Sequence, residues 1–93
     1  MKEKFVEFID SISGTTKKYY IEYSPNVEED IEIECHKRAF AENLVADKWV
    51  DQGRAVYDME TGFVPKDTST QEWAAFKFDC VAREKHIKKR ESV

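Results

Sequence analysis

Glycine and proline are scarce in this 93-residue chain, at three and two, and cysteine and methionine number two each. So little Gly and Pro excludes a long low-complexity tract, and the hydrophobic share of 41% is enough to bury a core. Two cysteines, Cys35 and Cys80, fall far short of a disulfide framework. The opening Lys2, Glu3 and Lys4 do not read as a secretory leader, and no apolar run approaches the roughly 18 residues of a membrane span. The expectation is one domain, residues 1–93, soluble and cytoplasmic, with no membrane partner. The three glycines, Gly14, Gly53 and Gly62, stand alone, so there is no phosphate-cradling loop, and no serine sits in a Gly-x-Ser-x-Gly elbow.

Basic residues are also missing where they would be most useful. Between Tyr19 and His36 the chain carries Glu22, Glu28, Glu29, Asp30, Glu32 and Glu34 with no Lys or Arg among them, whereas Arg83, Lys85, Lys88, Lys89 and Arg90 crowd into its end. Charge sorted in this way speaks of partners more than of fold.

Hydrophobic spacing assigns the elements. Phe5, Phe8, Ile9 and Ile12 recur at i, i+3, i+4 and i+7, which predicts a helix stopped by Gly14. Lys17–Ser24 is aromatic and β-branched and predicts a strand, with a turn at Ser24-Pro25-Asn26. Glu29–Cys35 alternates strictly, Ile31, Ile33 and Cys35 against Asp30, Glu32 and Glu34, and predicts the second arm of a hairpin. Lys37–Gln52 predicts a helix, with Phe40, Ala41, Leu44, Val45 and Trp49 on its apolar side and Gly53 as its stop. Arg54–Asp58 and Phe63–Pro65 predict a short hairpin, Pro65 marking an edge or an end. A Ser69-x-x-Glu72 capping box opens a last helix through Trp73, Phe76, Cys80 and Ile87. The fold class read from this is α+β, in the order α-β-β-α-β-β-α, a small antiparallel sheet with helices packed on one face.

Chemistry is hard to find. Cys35 with His36 and Cys80 with His86 lack metal-ligand spacing, and both cysteines fall on faces read as apolar, so no metal, cofactor or catalytic residue is expected. Asp58 and Glu60 are read as an ordinary acidic turn, and Trp49 and Trp73 as core aromatics. The candidate partner-binding residues are Glu22, Glu28, Glu29, Asp30, Glu32 and Glu34, aimed at the basic surface of a nucleic-acid-binding protein. Arg83, Lys85, Lys88, Lys89 and Arg90 form a secondary basic patch for phosphates or an acidic surface. No aromatic interleaves them along the chain, which ranks direct nucleic-acid binding second, ahead of a small enzyme of unknown class. The acidic and basic ends attract one another, and a homodimer is expected.

The segments KKYYIEYS, EDIEIEC, KRAFAENLVADKWVDQG and RAVYD, within Lys17 to Pro65, resemble the layout of small phage proteins that inhibit host enzymes, among them RNA-polymerase inhibitors and anti-CRISPR proteins. The resemblance is one of architecture and carries no residue role. It implies a non-enzymatic protein-binding module that blocks a nucleic-acid-handling enzyme, acidic groups standing in for phosphates.

Overall fold

In a computed structural model that describes residues 2–23 and 29–91, the chain runs β1 (Lys2–Asp10), β2 (Thr16–Tyr23), α1 (Glu29–Asp51), β3 (Ala55–Asp58), β4 (Gly62–Pro65), α2 (Thr70–Glu84) and β5 (Ile87–Glu91). The class is α+β, as expected, but the order is β-β-α-β-β-α-β. Strands pair as a three-stranded antiparallel sheet, β2-β1-β5, and a separate β3-β4 hairpin.

Three expectations are corrected here. The first concerns Phe5–Ile12, where a strand as far as Asp10 and the turn after it replace the predicted helix. Val6, Phe8 and Asp10 turn to the buried side of β1, and Phe5, Glu7 and Ile9 to the other. The run is apolar on both faces, so spacing could not separate helix from strand; pairing with β2 on one side and β5 on the other satisfies its backbone and decides the matter. Gly14, at φ 74°, serves the β1–β2 turn and not a helix end.

The second correction is Glu29–Cys35, which opens α1 and is not a strand. Ile33 begins the stripe that continues through Phe40, Ala41, Val45 and Trp49, all buried, while Ile31 is 56% exposed and Cys35 is exposed. Glutamate favours helix over strand, and carboxylates in a first turn complement the positive end of the helix dipole. Two added turns also bring Ile33 onto the sheet. The third correction is the chain end: α2 stops at Glu84, and Ile87 lies on β5, paired with Asp10 of β1.

The Gly53 stop, the β3–β4 hairpin and the Ser69 cap fall where expected. Gly53, at φ 74°, follows α1, its N–H donating to the Val50 carbonyl and that of Arg54 to the Trp49 carbonyl. The Ser69 side chain accepts the Glu72 N–H at 3.2 Å. Half of the box is reassigned: Asp67 takes the Ser69 N–H, and the Glu72 carboxylate accepts from Arg54.

The core has two parts joined along α1. Val6, Phe8, Ile21 and Ile87 of the sheet pack on Ile33, Phe40 and Ala41. Further along, Val45, Trp49, Ala55 and Cys80 pack with Val50, Phe63, Ala75 and Phe76, joining α1, the hairpin and α2. Trp49 meets Phe76 edge to face with ring centroids 5.4 Å apart, and its indole N–H donates to Asp79 at 2.9 Å. Helix α1 covers one face of the sheet and α2 lies chiefly against α1, so of the three helices expected on that face one is found there.

Candidate nucleic-acid interface

Strand register determines which side chains share the sheet face turned away from α1. Phe5 pairs with Tyr20; Glu7 pairs with Lys18 on one side and Arg90 on the other; Ile9 pairs with Thr16 and Lys88. Side chains of paired residues point to the same face, so these residues form three successive rows across the sheet. Tyr20 is 58% exposed and Phe5 39%, Ile9 is half-buried, and Thr16, Lys18, Lys88 and Arg90 are exposed.

The rows are organised. Phe5 and Tyr20 meet edge to face at 6.1 Å, and the Lys18 ammonium stands 6.0 Å from the Phe5 ring centroid. Arg90 donates to the Glu7 carboxylate at 2.5 Å, which neutralises the only carboxylate among the described side chains in these rows. Lys18 and Lys88 leave this face with a cationic balance. Lys17 and Lys89 flank Phe8 from the two outer strands on the other face. Charge on outer strands also discourages edge-to-edge pairing with other chains.

Of the basic residues read from the sequence, Lys88, Lys89 and Arg90 thus sit on β5, and Lys85 is exposed at the end of α2. Arg83 is taken inward. Its Nε and Nη2 donate to the two oxygens of Asp10, a carboxylate with no solvent exposure. The Ser13 N–H and hydroxyl also donate to Asp10 Oδ2. Burial alone would raise the Asp10 pKa; the Arg83 and Ser13 hydrogen bonds outweigh it and hold the group at about 2. Arg83 thus joins α2 to the end of β1 and stands apart from the exposed cations of β5.

The acidic candidates are dispersed. Glu28 lies outside the described residues, as do the side chains of Glu22 and Glu29. Asp30, Glu32 and Glu34, which a strand would align, are spread by the roughly 100° per residue of a helix, so that Glu32 and Glu34 stand on different sides of α1. Asp30 and Glu34 are exposed; Glu32 is half-buried and lies 3.9 Å from His36.

Sequence reading missed Phe5, Lys18 and Tyr20, because aromatics from β1 and β2 come beside the basic β5 only once the chain end pairs with β1. Cys35 is exposed, against expectation, and Cys80 is buried as expected. Among the described residues no three or more His, Cys, Asp or Glu side chains stand close enough to hold a metal ion, and no helix is long and apolar enough to cross a membrane. Comparison with protein families, curated proteins and solved structures finds no match for this chain.

Proposed function

We propose that this protein is a non-enzymatic binding module whose working surface is the open face of β2-β1-β5, and that its ligand is single-stranded nucleic acid. One observation carries the reading: an exposed aromatic pair, Phe5 and Tyr20, lies in the row next to Lys18 and Arg90, with Lys88 one row further. Bases stack on aromatic rings regardless of sequence, and ammonium and guanidinium groups follow the phosphates. The requirement that aromatics interleave with cations, unmet along the chain, is met across strands. The net charge of −4 does not oppose this, because much of the acid lies on α1, on the other side of the sheet.

A second reading remains from the acidic head of α1, where Asp30 and Glu34 flank the exposed Ile31. This surface suits a basic protein, and inhibition of a nucleic-acid-handling enzyme of a phage's host is the activity it would serve.

Fluorescence anisotropy with labelled single-stranded DNA and RNA tests the first reading. Wild type should bind with an affinity that falls steeply with salt. Tyr20→Ala and Phe5→Ala should each weaken binding about tenfold or more, at about 1–3 kcal/mol per stacked base. Lys18→Gln with Lys88→Gln should flatten the salt dependence. Absence of binding at tens of micromolar and low salt defeats the proposal, and capture of a host protein after nuclease treatment, lost in Asp30→Asn with Glu34→Gln, would establish the second reading.

A further inference from the structure

On a face that follows phosphates a carboxylate lowers affinity, because it repels the charges that the cations attract. Glu7 stands there nonetheless. It lies on the middle strand, with Lys18 beside it on β2 and Arg90 on β5, one row from the Phe5–Tyr20 pair. Its side chain keeps 12% of its surface exposed and that of Arg90 63%, so the carboxylate is the fixed member of the pair and the guanidinium the one with room to swing. Cross-strand attraction accounts for an acid in this row; hydrogen-bonding capacity decides what else it can do.

A carboxylate has two oxygens and about four lone-pair sites. Among the described residues the hydrogen bond it receives comes from Arg90 Nη2, to Oε1 at 2.5 Å, while the Lys18 ammonium stands 6.0 Å from the Phe5 ring centroid. Acceptor capacity therefore remains on both Glu7 oxygens, next to guanidinium N–H groups not used on Glu7. Across the row the pair offers two acceptors followed by a donor.

Single-stranded bases are recognised by hydrogen bonds to their uncovered edges. On the Watson–Crick edge only guanine places two donors side by side, N1–H and the N2 amino group, followed by an acceptor, O6. Cytosine and adenine set one amino group next to an acceptor nitrogen, and uracil and thymine set one N–H between two carbonyls. Each of these turns an acceptor toward a Glu7 oxygen. Two residues along β1 span about 7 Å, so a base resting on the Phe5–Tyr20 rings lies beside the Glu7–Arg90 row.

We infer that Glu7 and Arg90 make this face selective for guanine, Glu7 accepting from N1–H and the N2 amino group and Arg90 donating to O6. The inference rests on the nucleic-acid-binding reading and adds a base preference to stacking that is indifferent to sequence. Lys18, on the other side of Glu7, is left for the phosphates.

Anisotropy with a labelled oligothymidylate of about ten nucleotides, plain or carrying guanine, hypoxanthine or 7-deazaguanine at its centre, tests this. Guanine should tighten wild-type binding about tenfold or more over thymine, the discrimination that a bidentate contact gives. Hypoxanthine, which lacks the N2 amino group, should lose most of that gain; 7-deazaguanine, which keeps the whole Watson–Crick edge, should retain it. These arms use the wild-type protein and do not depend on how a variant folds. Glu7→Gln, which replaces one acceptor by a donor, should abolish the preference and tighten binding to plain oligothymidylate, because a negative charge has left the face. Equal affinity for guanine and thymine, or a preference that survives Glu7→Gln, overturns the inference and leaves the stacking face standing. A preference lost with 7-deazaguanine and kept with hypoxanthine puts Arg90 alone on the other edge of the base and overturns the role of Glu7. No binding to any of the oligonucleotides defeats the inference together with the reading beneath it.

Discussion

Asp10 and Arg83, 73 residues apart, are joined by two hydrogen bonds, Nε to Oδ1 at 3.0 Å and Nη2 to Oδ2 at 2.5 Å. The pair ties the end of β1 to the last turn of α2, where β5 begins. The turn after β1 is held in the same place: the Ser11 N–H donates to the His86 carbonyl and the Gly14 N–H to that of Asp10. β5 and its cations are brought to the sheet by this junction.

Breaking the pair from one side should be costly. Arg83→Met leaves a buried carboxylate without its cation, and a loss of about 3–5 kcal/mol is expected, a large share of the stability of a small domain. Adding Asp10→Asn should recover part of it. Urea unfolding of the single and double variants measures the coupling, and additive losses would show that the two groups act independently.

Acid should remove the same contribution. The Asp10 pKa falls from 3.8 to about 2 on folding, so its stabilisation, on the order of 2 kcal/mol, is complete above about pH 4 and disappears as pH falls from there toward 2. Unfolding free energies measured across this window should drop less in Asp10→Asn than in wild type. Parallel curves would remove Asp10 as the cause.

Neutralising the acidic residues of α1 should depend on position. A strand would make Asp30→Asn and Glu32→Gln neutral or slightly stabilising, by relief of repulsion. In the first turn of a helix each should instead cost ~0.3–1 kcal/mol at low salt, while Glu34→Gln, one turn on, should change little. Thermal midpoints at low and high salt distinguish the cases, since screening shrinks the helix-end effect.

The two thiols should react at very different rates. Cys35 is exposed, whereas burial, with smaller contributions from Glu42 and Asp79, pushes the Cys80 thiol up to about 12. A disulfide-exchange reagent at neutral pH should modify one thiol per native chain promptly and the second only when urea opens the α1–α2 interface. Prompt modification of both would mean that this interface opens readily in the native state.

Gly53→Ala should cost ~1 kcal/mol. A Cβ there meets nothing within 4 Å, so the whole effect comes from holding a left-handed φ of 74°. Calorimetry against wild type gives the difference, and a larger loss would mean that the α1–β3 connection itself moves.

Wherever local chemistry admits one answer, this sequence determines its own structure. Gly53 ends α1, Ser69 begins α2, and the alternation around Met59–Thr61 makes a hairpin, because positive φ, an accepting hydroxyl and a short turn act within a few residues. The same is true of the stripe from Phe40 to Trp49. Of the three segments whose structure departs from expectation, two carry a local signal that is double-valued. Phe5–Ile9 is apolar on both faces and fits a helix or a central strand; Ile31, Ile33 and Cys35 alternate like a strand although Ile33 alone is buried. Contacts far away in sequence resolved both: β5 supplied the second set of backbone partners that makes β1 central, and the sheet supplied the apolar surface that Ile33 covers. The binding face has the same origin. Phe5, Tyr20 and Lys18 lie 68 to 85 residues from Lys88 and Arg90, and only the pairing of β1 with both neighbours sets rings and cations side by side. The sequence determined which residues carry charge and aromaticity; tertiary structure decided which of them share a surface, because strand register, unlike a helical turn, is set by a partner far along the chain.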